Sequence, residues 1–330
     1  MDDNRIQQMI KQFQVVLLDG AMATEIEKKG LDIKDDLWSA KAIIDTPDLI
    51  KEVHLDYFKA GADIATTNTY QANIEGFKKH GWTDEDARHL MTKAVLLAKE
   101  ARDEFWTSLT KQEKLARPYP LVAGSIGPYG AFLADGSEYT GKYDLSIEEF
   151  QQFHLSRMKL LKEAGIDIFA FETIPHFHES MALAQLLETA FPDTSAWISF
   201  SIANDQQLCD GTALDEAASY FNQHSNICAI GVNCTSVSRI PKVISNLKNV
   251  TTKPIIIYPN SGEQYDPQTK SWSKEQQYEN FGVISKDWYK NGASLIGGCC
   301  RTTPKDIRHI KEWARDKNMG DGSNNKLKFL

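Results

Sequence analysis

The chain alternates between short apolar runs and longer polar stretches in which apolar residues recur at helical spacing. The short runs indicate strands that are buried on both faces, as in a parallel sheet whose strands are connected by helices. We predict eight strands, at residues 15–18, 64–67, 121–125, 168–171, 197–201, 228–232, 255–258 and 295–296. Eight strand and helix units in 330 residues predict an α/β fold, a single-domain (β/α)8 barrel of the TIM type.

Three of the predicted strands are entered in the same way, from a helix end that is closed by a glycine. These entries are FKAGADIATTNT (58–69), LKEAGIDIFAFET (161–173) and YKNGASLIGGCC (289–300). No interior linker divides the chain, so we expect one domain over 1–330, with a barrel core at about 15–315 and a mobile tail at about 319–330. Two long segments that follow strands, 126–147 and 259–275, are expected to form lids over the catalytic face.

The charge balance makes nucleic acid and membranes poor partners. Asp and Glu exceed Lys and Arg by 45 to 37, and no apolar stretch is long enough to span a bilayer. The first residues, MDDNRIQQMIKQF, lack the cationic and apolar regions of a signal peptide, and the five cysteines do not form a dispersed, even-numbered framework. We therefore expect a cytoplasmic protein with small-molecule substrates, either a monomer or a small homo-oligomer.

Polar residues follow most of the predicted strands, at the end where barrel enzymes place their chemistry. The candidates on this rim are Asp19, Asn68, Ser125, Ile126, Gly127, Glu172, Thr173, Asn233, Cys234, Cys299 and Cys300. Three of the five cysteines belong to this set. The other two, Cys209 and Cys228, lie off the rim, and we expect them to be structural.

Strands six and eight lie close together around an eight-stranded barrel, so Cys234 can meet the pair Cys299 and Cys300. Three thiolates that leave one position open are typical of a catalytic zinc site. Adjacent residues of a regular strand point to opposite faces, but Gly297 and Gly298 allow the backbone to turn before the pair. The alternatives are three small buried side chains or a redox pair.

Zinc held by three thiolates is a weak Lewis acid toward water, because the ligand charge exceeds that of the ion. A thiol substrate suits such a site better, since coordination to the metal removes its proton. Soft sulfur ligands leave the bound sulfur nucleophilic toward carbon. The residues therefore predict S-alkylation of a thiol.

Six segments of the chain closely resemble the homocysteine S-methyltransferases, over about residues 15 to 315. They are DGAMATEI (19–26), TTNTYQAN (66–73), AGSIGPYGA (123–131), FETIP (171–175), GVNC (231–234) and GGCC (297–300). The resemblance implies a Zn²⁺ site at Cys234, Cys299 and Cys300, homocysteine as the methyl acceptor and methionine as the product.

The resemblance also implies roles for the other rim residues. Glu172 would pair with the amino group of homocysteine, beside Thr173, and the backbone N–H groups of Ser125, Ile126 and Gly127 would receive its carboxylate. Asp19 and Asn233 would order the site through hydrogen bonds, and Asn68 would act in the same way.

The segment GSEYTGKY (136–143) is similar to that of enzymes that use S-methylmethionine, which implies a small sulfonium donor, with S-adenosylmethionine as a second candidate. Betaine or another small methyl donor is the alternative. Aromatic faces attract a sulfonium, and the rim loops carry Tyr70, Tyr129, Phe132, Tyr139 and Trp272.

Two rival hypotheses belong to other classes. His176 and His178 follow strand four and suit a metal-dependent hydrolase or aldolase, although a polar helix start explains them equally well. A thiol-rich zinc or redox sensor, which is not an enzyme, would use the same three cysteines.

Overall fold

Eight parallel strands form the centre of the molecule in a computed structural model that describes residues 5–31, 38–262, 264–266, 271–273 and 280–316. They are β1 (Val16–Leu17), β2 (Ile64–Thr66), β3 (Leu121–Ile126), β4 (Ile168–Ile174), β5 (Ala196–Phe200), β6 (Ile227–Asn233), β7 (Ile255–Tyr258) and β10 (Ala293–Ile296). A short antiparallel hairpin, β8 (Gln264–Asp266) and β9 (Ser271–Ser273), precedes β10. All eight predicted strands are present, and the largest boundary difference is at β4, which continues to Ile174.

The strands follow the order β1-β10-β7-β6-β5-β4-β3-β2. A parallel bridge between Leu18 and Ile64 joins the two edges, so the predicted (β/α)8 barrel is confirmed. Two acidic side chains add to this junction of β1 and β2. Asp63 accepts a hydrogen bond from the Leu17 amide (2.9 Å), and Asp19 accepts one from the Thr66 amide (2.7 Å).

Helices cover the outside of the barrel and close its N-terminal end. They are α1 (Arg5–Phe13), α2 (Met22–Lys28), α3 (Trp38–Asp45), α4 (Pro47–Ala60), α5 (Ile74–Lys79), α6 (Asp84–Ser108), α7 (Lys111–Leu115), α8 (Tyr129–Leu133), α9 (Ile147–Ala164), α10 (Phe177–Ala190), α11 (Leu214–Tyr220), α12 (Ile240–Val250), α13 (Phe281–Asn291) and α14 (Pro304–Ala314). Within the described part of the chain, no helix is long and apolar enough to cross a membrane.

The local sequence explains where several of these helices begin and end. Thr83 and Ser146 form capping boxes at the starts of α6 and α9, where their side chains accept from backbone amides of the first turn. The predicted glycine stops are confirmed, because Gly61, Gly165 and Gly292 have φ values of 133°, 87° and 128°.

The core has two layers. A large cluster fills the space between the strands and the outer helices, and a smaller one fills the barrel lumen. Ile6 and Met9 of α1 belong to the lumen cluster, which places α1 as a plug at the N-terminal end. Cys228 lies in the same cluster with 2% of its surface exposed, which agrees with a structural role.

Two predictions fall largely on residues for which the structure gives no description. The predicted mobile tail, 319–330, lies wholly outside the described residues. The predicted lid at 259–275 is described only at 259–262 and in the two hairpin strands, and the side chain of Trp272 is not described.

Candidate metal centre

The thiols of Cys234, Cys299 and Cys300 meet at the C-terminal end of the barrel. The Sγ atoms of Cys234 and Cys300 lie 3.6 Å apart, those of Cys299 and Cys300 lie 4.0 Å apart, and all three lie within 4.8 Å of one another. Within the described ranges this is the only group of three or more His, Cys, Asp or Glu residues whose ligand atoms are close enough to share a metal ion.

The backbone brings the three thiols together by two different means. Cys234 directly follows β6 and has a φ of 50°, a left-handed conformation that is uncommon outside glycine. Strand β10 ends at Ile296, directly before Gly297 and Gly298, and both Cys299 and Cys300 reach the cluster. The two glycines also allow close packing, because a Cβ on Gly298 would lie 2.3 Å from Thr302 Oγ1, and one on Gly297 would lie 2.5 Å from Leu18 Cβ.

The spacing of the sulfur atoms fits zinc. Zn–S bonds of about 2.3 Å in tetrahedral geometry place two sulfur ligands about 3.8 Å apart. The separations of 3.6 and 4.0 Å bracket that value. Hydrogen bonds from Cys299 and Cys300 hold the pKa of the Cys234 thiol well below its ordinary value, and donating those bonds raises the pKa of Cys299 and Cys300.

Asn233 connects the thiols to β4. Its Oδ1 accepts from the Thr173 amide (2.8 Å) and from Ser199 Oγ (2.5 Å). Its Nδ2 donates to Thr173 Oγ1 (2.8 Å) and faces Cys299 Sγ at 3.9 Å. Thr173 has a φ of 60°, which is strained for a β-branched residue, and the Asn233 side chain holds it there.

Glu172 lies on β4 beside this network and is buried. Its Oε1 accepts from Ser125 Oγ, and its Oε2 accepts from the Tyr258 hydroxyl at 3.2 Å. The indole of Trp197 donates in turn to Tyr258 (3.1 Å). Burial raises the pKa of Glu172 to about 7, although its two hydrogen bonds act in the opposite direction.

Asp19, at the end of β1, is the second buried carboxyl group on this rim. Burial raises its pKa to about 8, the bond from the Thr66 amide lowers it, and the charge of Glu172 raises it further. Asp19 follows β1 and Glu172 lies near the C-terminal end of β4, and the three thiols lie at the same end of the barrel.

The turn after β3 is less free than the sequence suggested. The Ser125 amide donates to Thr67 Oγ1 (3.0 Å), and the Gly127 amide donates to the Tyr70 carbonyl (3.2 Å). A substrate carboxylate would have to replace these bonds, so the predicted carboxylate site at Ser125, Ile126 and Gly127 stays a prediction. Asn68 is buried near the same turn, with 5% of its surface exposed.

Three of the five predicted aromatic residues have contacts that indicate their roles. Tyr139 reaches the metal centre, because its hydroxyl lies 3.7 Å from Cys234 Sγ. Tyr129 and Phe132 instead pack on Phe153 of α9, with ring centroids 5.0 and 5.4 Å away. This packing favours a structural role for Tyr129 and Phe132.

Several residues of the site were not identified from the sequence. Tyr258 ends β7 and Ser199 lies in β5, and their hydroxyl oxygens lie 2.6 Å apart. Both occur within apolar runs, and the signal that could have identified each was one polar side chain among apolar ones. Glu138 lies in a short turn next to Tyr139, inside the segment 136–143 that the sequence analysis singled out, but its own burial was not predicted.

The histidines of the rival hypothesis lie elsewhere. His176 stacks on Tyr143, with ring centroids 5.5 Å apart, and its Nδ1 lies 3.7 Å from Asp210 Oδ2. His178 lies in the first turn of α10. Neither belongs to a group of metal ligands in the described part of the chain, which supports the helix-start explanation.

Comparison with known proteins gives consistent matches over nearly the whole chain. Residues 16–314 match the family model described as homocysteine S-methyltransferase. The chain is 51% identical to homocysteine S-methyltransferase YbgG of Bacillus subtilis (strain 168), covering 94% of this chain and 98% of that protein. It is 43% identical to homocysteine S-methyltransferase of Escherichia coli (strain K12), with the same two coverages.

Among solved structures, the metallated form of the homocysteine methyltransferase MmuM from Escherichia coli is similar, with a TM-score of 0.84. The two chains are 41% identical, and the match covers 94% of this chain and all of the other. The residues matched by the family model, 16–314, include every barrel strand and the three cysteines.

Proposed function

Because this chain belongs to the homocysteine S-methyltransferase family, we propose that it uses zinc to transfer a methyl group from a small sulfonium to homocysteine, giving methionine. The observation that carries the proposal is the set of three Sγ atoms within 4.8 Å of one another at the mouth of the barrel. Cys234, Cys299 and Cys300 would hold the ion and leave a fourth position for a substrate sulfur. When bound, zinc supplies the positive charge that keeps a homocysteine thiol deprotonated, while soft thiolate ligands preserve its nucleophilicity.

Glu172 is placed to bind the amino group of homocysteine. Ser125 and Tyr258 fix the direction of its carboxyl group, and burial excludes water that would compete for it. A bound ammonium group favours the charged carboxylate and so offsets the cost of burying it. Asp19 and Asn233 orient the surrounding groups, together with Thr173 and Asn68.

On the donor side of the site, correct placement of the methyl donor matters more than acid or base catalysis. Once the acceptor sulfur carries no proton, the remaining task is to align it with the methyl carbon and the leaving sulfur. Tyr139, which reaches Cys234, offers an aromatic face to a sulfonium cation. S-methylmethionine is the proposed donor, S-adenosylmethionine is a second one, and betaine is the alternative.

The test is to incubate the zinc-loaded protein with homocysteine and each of these three donors, and to measure methionine by mass spectrometry. The Cys299→Ser variant should bind less than one tenth of the zinc of the wild type and form no methionine, because a hydroxyl is a much poorer ligand for zinc than a thiolate. The matched control is Cys209→Ser, since the Cys209 thiol faces Ser201 Oγ at 3.4 Å. Methionine from betaine alone would reject the sulfonium donor. Full activity of Cys299→Ser would reject the metal site.

A further inference from the structure

The loop that follows β3 carries a buried carboxyl group that the proposed chemistry has not used. Glu138 lies in the 3-10 turn Ser137–Tyr139 and is 8% exposed. Its Oε2 has no hydrogen-bond partner among the residues that the structure describes. Its own backbone amide donates to the carboxyl group. A buried carboxylate oxygen that has no partner is nevertheless costly, so such oxygens are usually paired with a cation or with a hydrogen-bond donor.

Close backbone packing fixes the turn that carries this carboxyl group. A Cβ on Gly130 of α8 would lie 2.5 Å from the Glu138 amide nitrogen. On the other side of the turn, Gly141 has a φ of 63°, and a Cβ there would lie 2.9 Å from the Asp210 amide nitrogen. The backbone of the turn is therefore packed closely against two other segments, which fixes the position of the Glu138 Cα atom.

Glu138 lies within electrostatic reach of the metal centre. Its neighbour Tyr139 contacts Cys234, and negative charge on Cys234 and Glu138 adds to the effect of burial in raising the pKa of both Tyr70 and Tyr139. The charged groups that act on Glu138 itself, Cys234 and Asp135, are both acidic. Its surroundings are thus anionic and suit a cationic ligand.

We propose that Glu138 binds the α-ammonium group of the methyl donor, an inference that rests on the proposed function. In the transfer, the acceptor thiolate sulfur bonds to the methyl carbon while the carbon–sulfur bond of the sulfonium breaks. Its electron pair stays on the leaving sulfur, so the sulfonium charge disappears. A carboxylate against the sulfonium would stabilise the starting state more than the transition state. The ammonium charge persists throughout, so its contact with Glu138 lowers the KM of the donor and leaves kcat unchanged.

The experiment compares two donors and two variants. S-methylmethionine carries the α-ammonium group, whereas 4-(dimethylsulfonio)butanoate is the same molecule with hydrogen in its place. For Glu138→Gln, we expect the KM of S-methylmethionine to rise about 10- to 100-fold, the effect of losing one charge-assisted hydrogen bond. Its kcat, its KM for homocysteine and its zinc content should match the wild type, as should its kcat/KM with the butanoate. The control is Asp144→Asn, which removes an exposed charge from the same loop.

Three results for Glu138→Gln would overturn the inference. The first is an unchanged KM for S-methylmethionine, and the second is a higher KM for homocysteine instead. The third is an equal loss of kcat/KM with both donors, which would indicate a structural role. If Glu138→Gln does not fold, the two donors are compared on the wild type. Equal kcat/KM values for S-methylmethionine and the butanoate would then contradict an ammonium site. Failure of the wild type to use either sulfonium donor, S-methylmethionine or S-adenosylmethionine, contradicts the proposed function and this inference together. Methionine formation by the wild type with an unaffected variant contradicts this inference alone.

Discussion

Burial acts in opposite directions on the acidic and basic side chains of this barrel. It raises the pKa of Glu172 to about 7 and that of Asp19 to about 8, and it lowers the pKa of His54 to about 4. The acids lie on the rim, where a ligand can compensate for burial. His54 lies inside α4, and neither of its ring nitrogens has a hydrogen-bond partner among the described residues. Its burial therefore affects stability and not the site.

The low pKa of His54 should make the stability of the protein depend on pH. The native state binds its proton only near pH 4, whereas the unfolded chain binds it near pH 6.5, so stability falls as the pH drops through this interval. At pH 5 the loss is roughly 2 kcal/mol relative to pH 8. In urea unfolding at pH 8 and pH 5, His54→Leu should lose less stability than the wild type. The exposed His89→Gln is the control, and equal losses in His54→Leu and the wild type would refute the argument.

For single residues, the sequence predicts which side chains reach the rim of the barrel, but not which contacts hold them there. Cys234, Glu172 and Asn233 follow directly from counting to the ends of apolar runs. The left-handed Thr173 does not, because threonine disfavours that conformation and adopts it here only through its bonds to Asn233. Glu138 was missed for a similar reason, since its burial depends on the packing of Gly130 against its backbone.

One side chain of α10 bonds to both ends of the loop between β3 and α9. Glu179 is fully buried, and its Oε1 accepts from the Tyr129 amide (2.6 Å) and from His154 Nε2 (2.7 Å). Its Oε2 accepts from the Tyr143 hydroxyl (2.6 Å). Tyr129 and Tyr143 stand on either side of the turn that carries Glu138 and Tyr139. One carboxylate thus ties down the element that covers the thiols.

Replacing Glu179 by Gln should loosen that loop. A glutamine amide group presents hydrogens where one of the donors now points, and an unsatisfied buried donor costs about 1–3 kcal/mol. We expect amide hydrogen exchange over residues 129–143 to accelerate about 10- to 100-fold, which corresponds to that free energy. The control is Glu188→Gln on the same helix, where the carboxylate is partly exposed and accepts from His224. Unchanged exchange in Glu179→Gln would show that other contacts hold the loop.

The strands were easier to predict than the elements between them. Apolar runs locate every barrel strand, because burial on both faces demands apolar side chains at nearly every position. The end of β4 was missed, since the pairing with β5 shifts register between Phe171 and Ile174. The five-residue α8 and the turn Ser137–Tyr139 were also missed, because such short helices show no apolar periodicity.

The N-terminal end of the barrel contributes to stability, because α1 closes it, whereas the thiols lie at the C-terminal end. Ile6→Ala should therefore destabilise the protein by about 2–5 kcal/mol, the usual cost of removing a fully buried isoleucine side chain. Zinc content and kcat should stay at wild-type values below the melting temperature. Calorimetry and metal analysis test this, with the exposed Leu115→Ala as the control. Zinc loss from folded Ile6→Ala would show that the two ends are coupled.

The barrel closes between β1 and β2 through one short bridge. Two carboxylates add hydrogen bonds to this closure, Asp63 at its N-terminal side and Asp19 at its C-terminal side. The hydrogen bond at the C-terminal side is made by Asp19, one of the two buried carboxyl groups on the rim. A substitution of Asp19 therefore removes a hydrogen bond from the closure of the barrel as well as a carboxyl group from the rim.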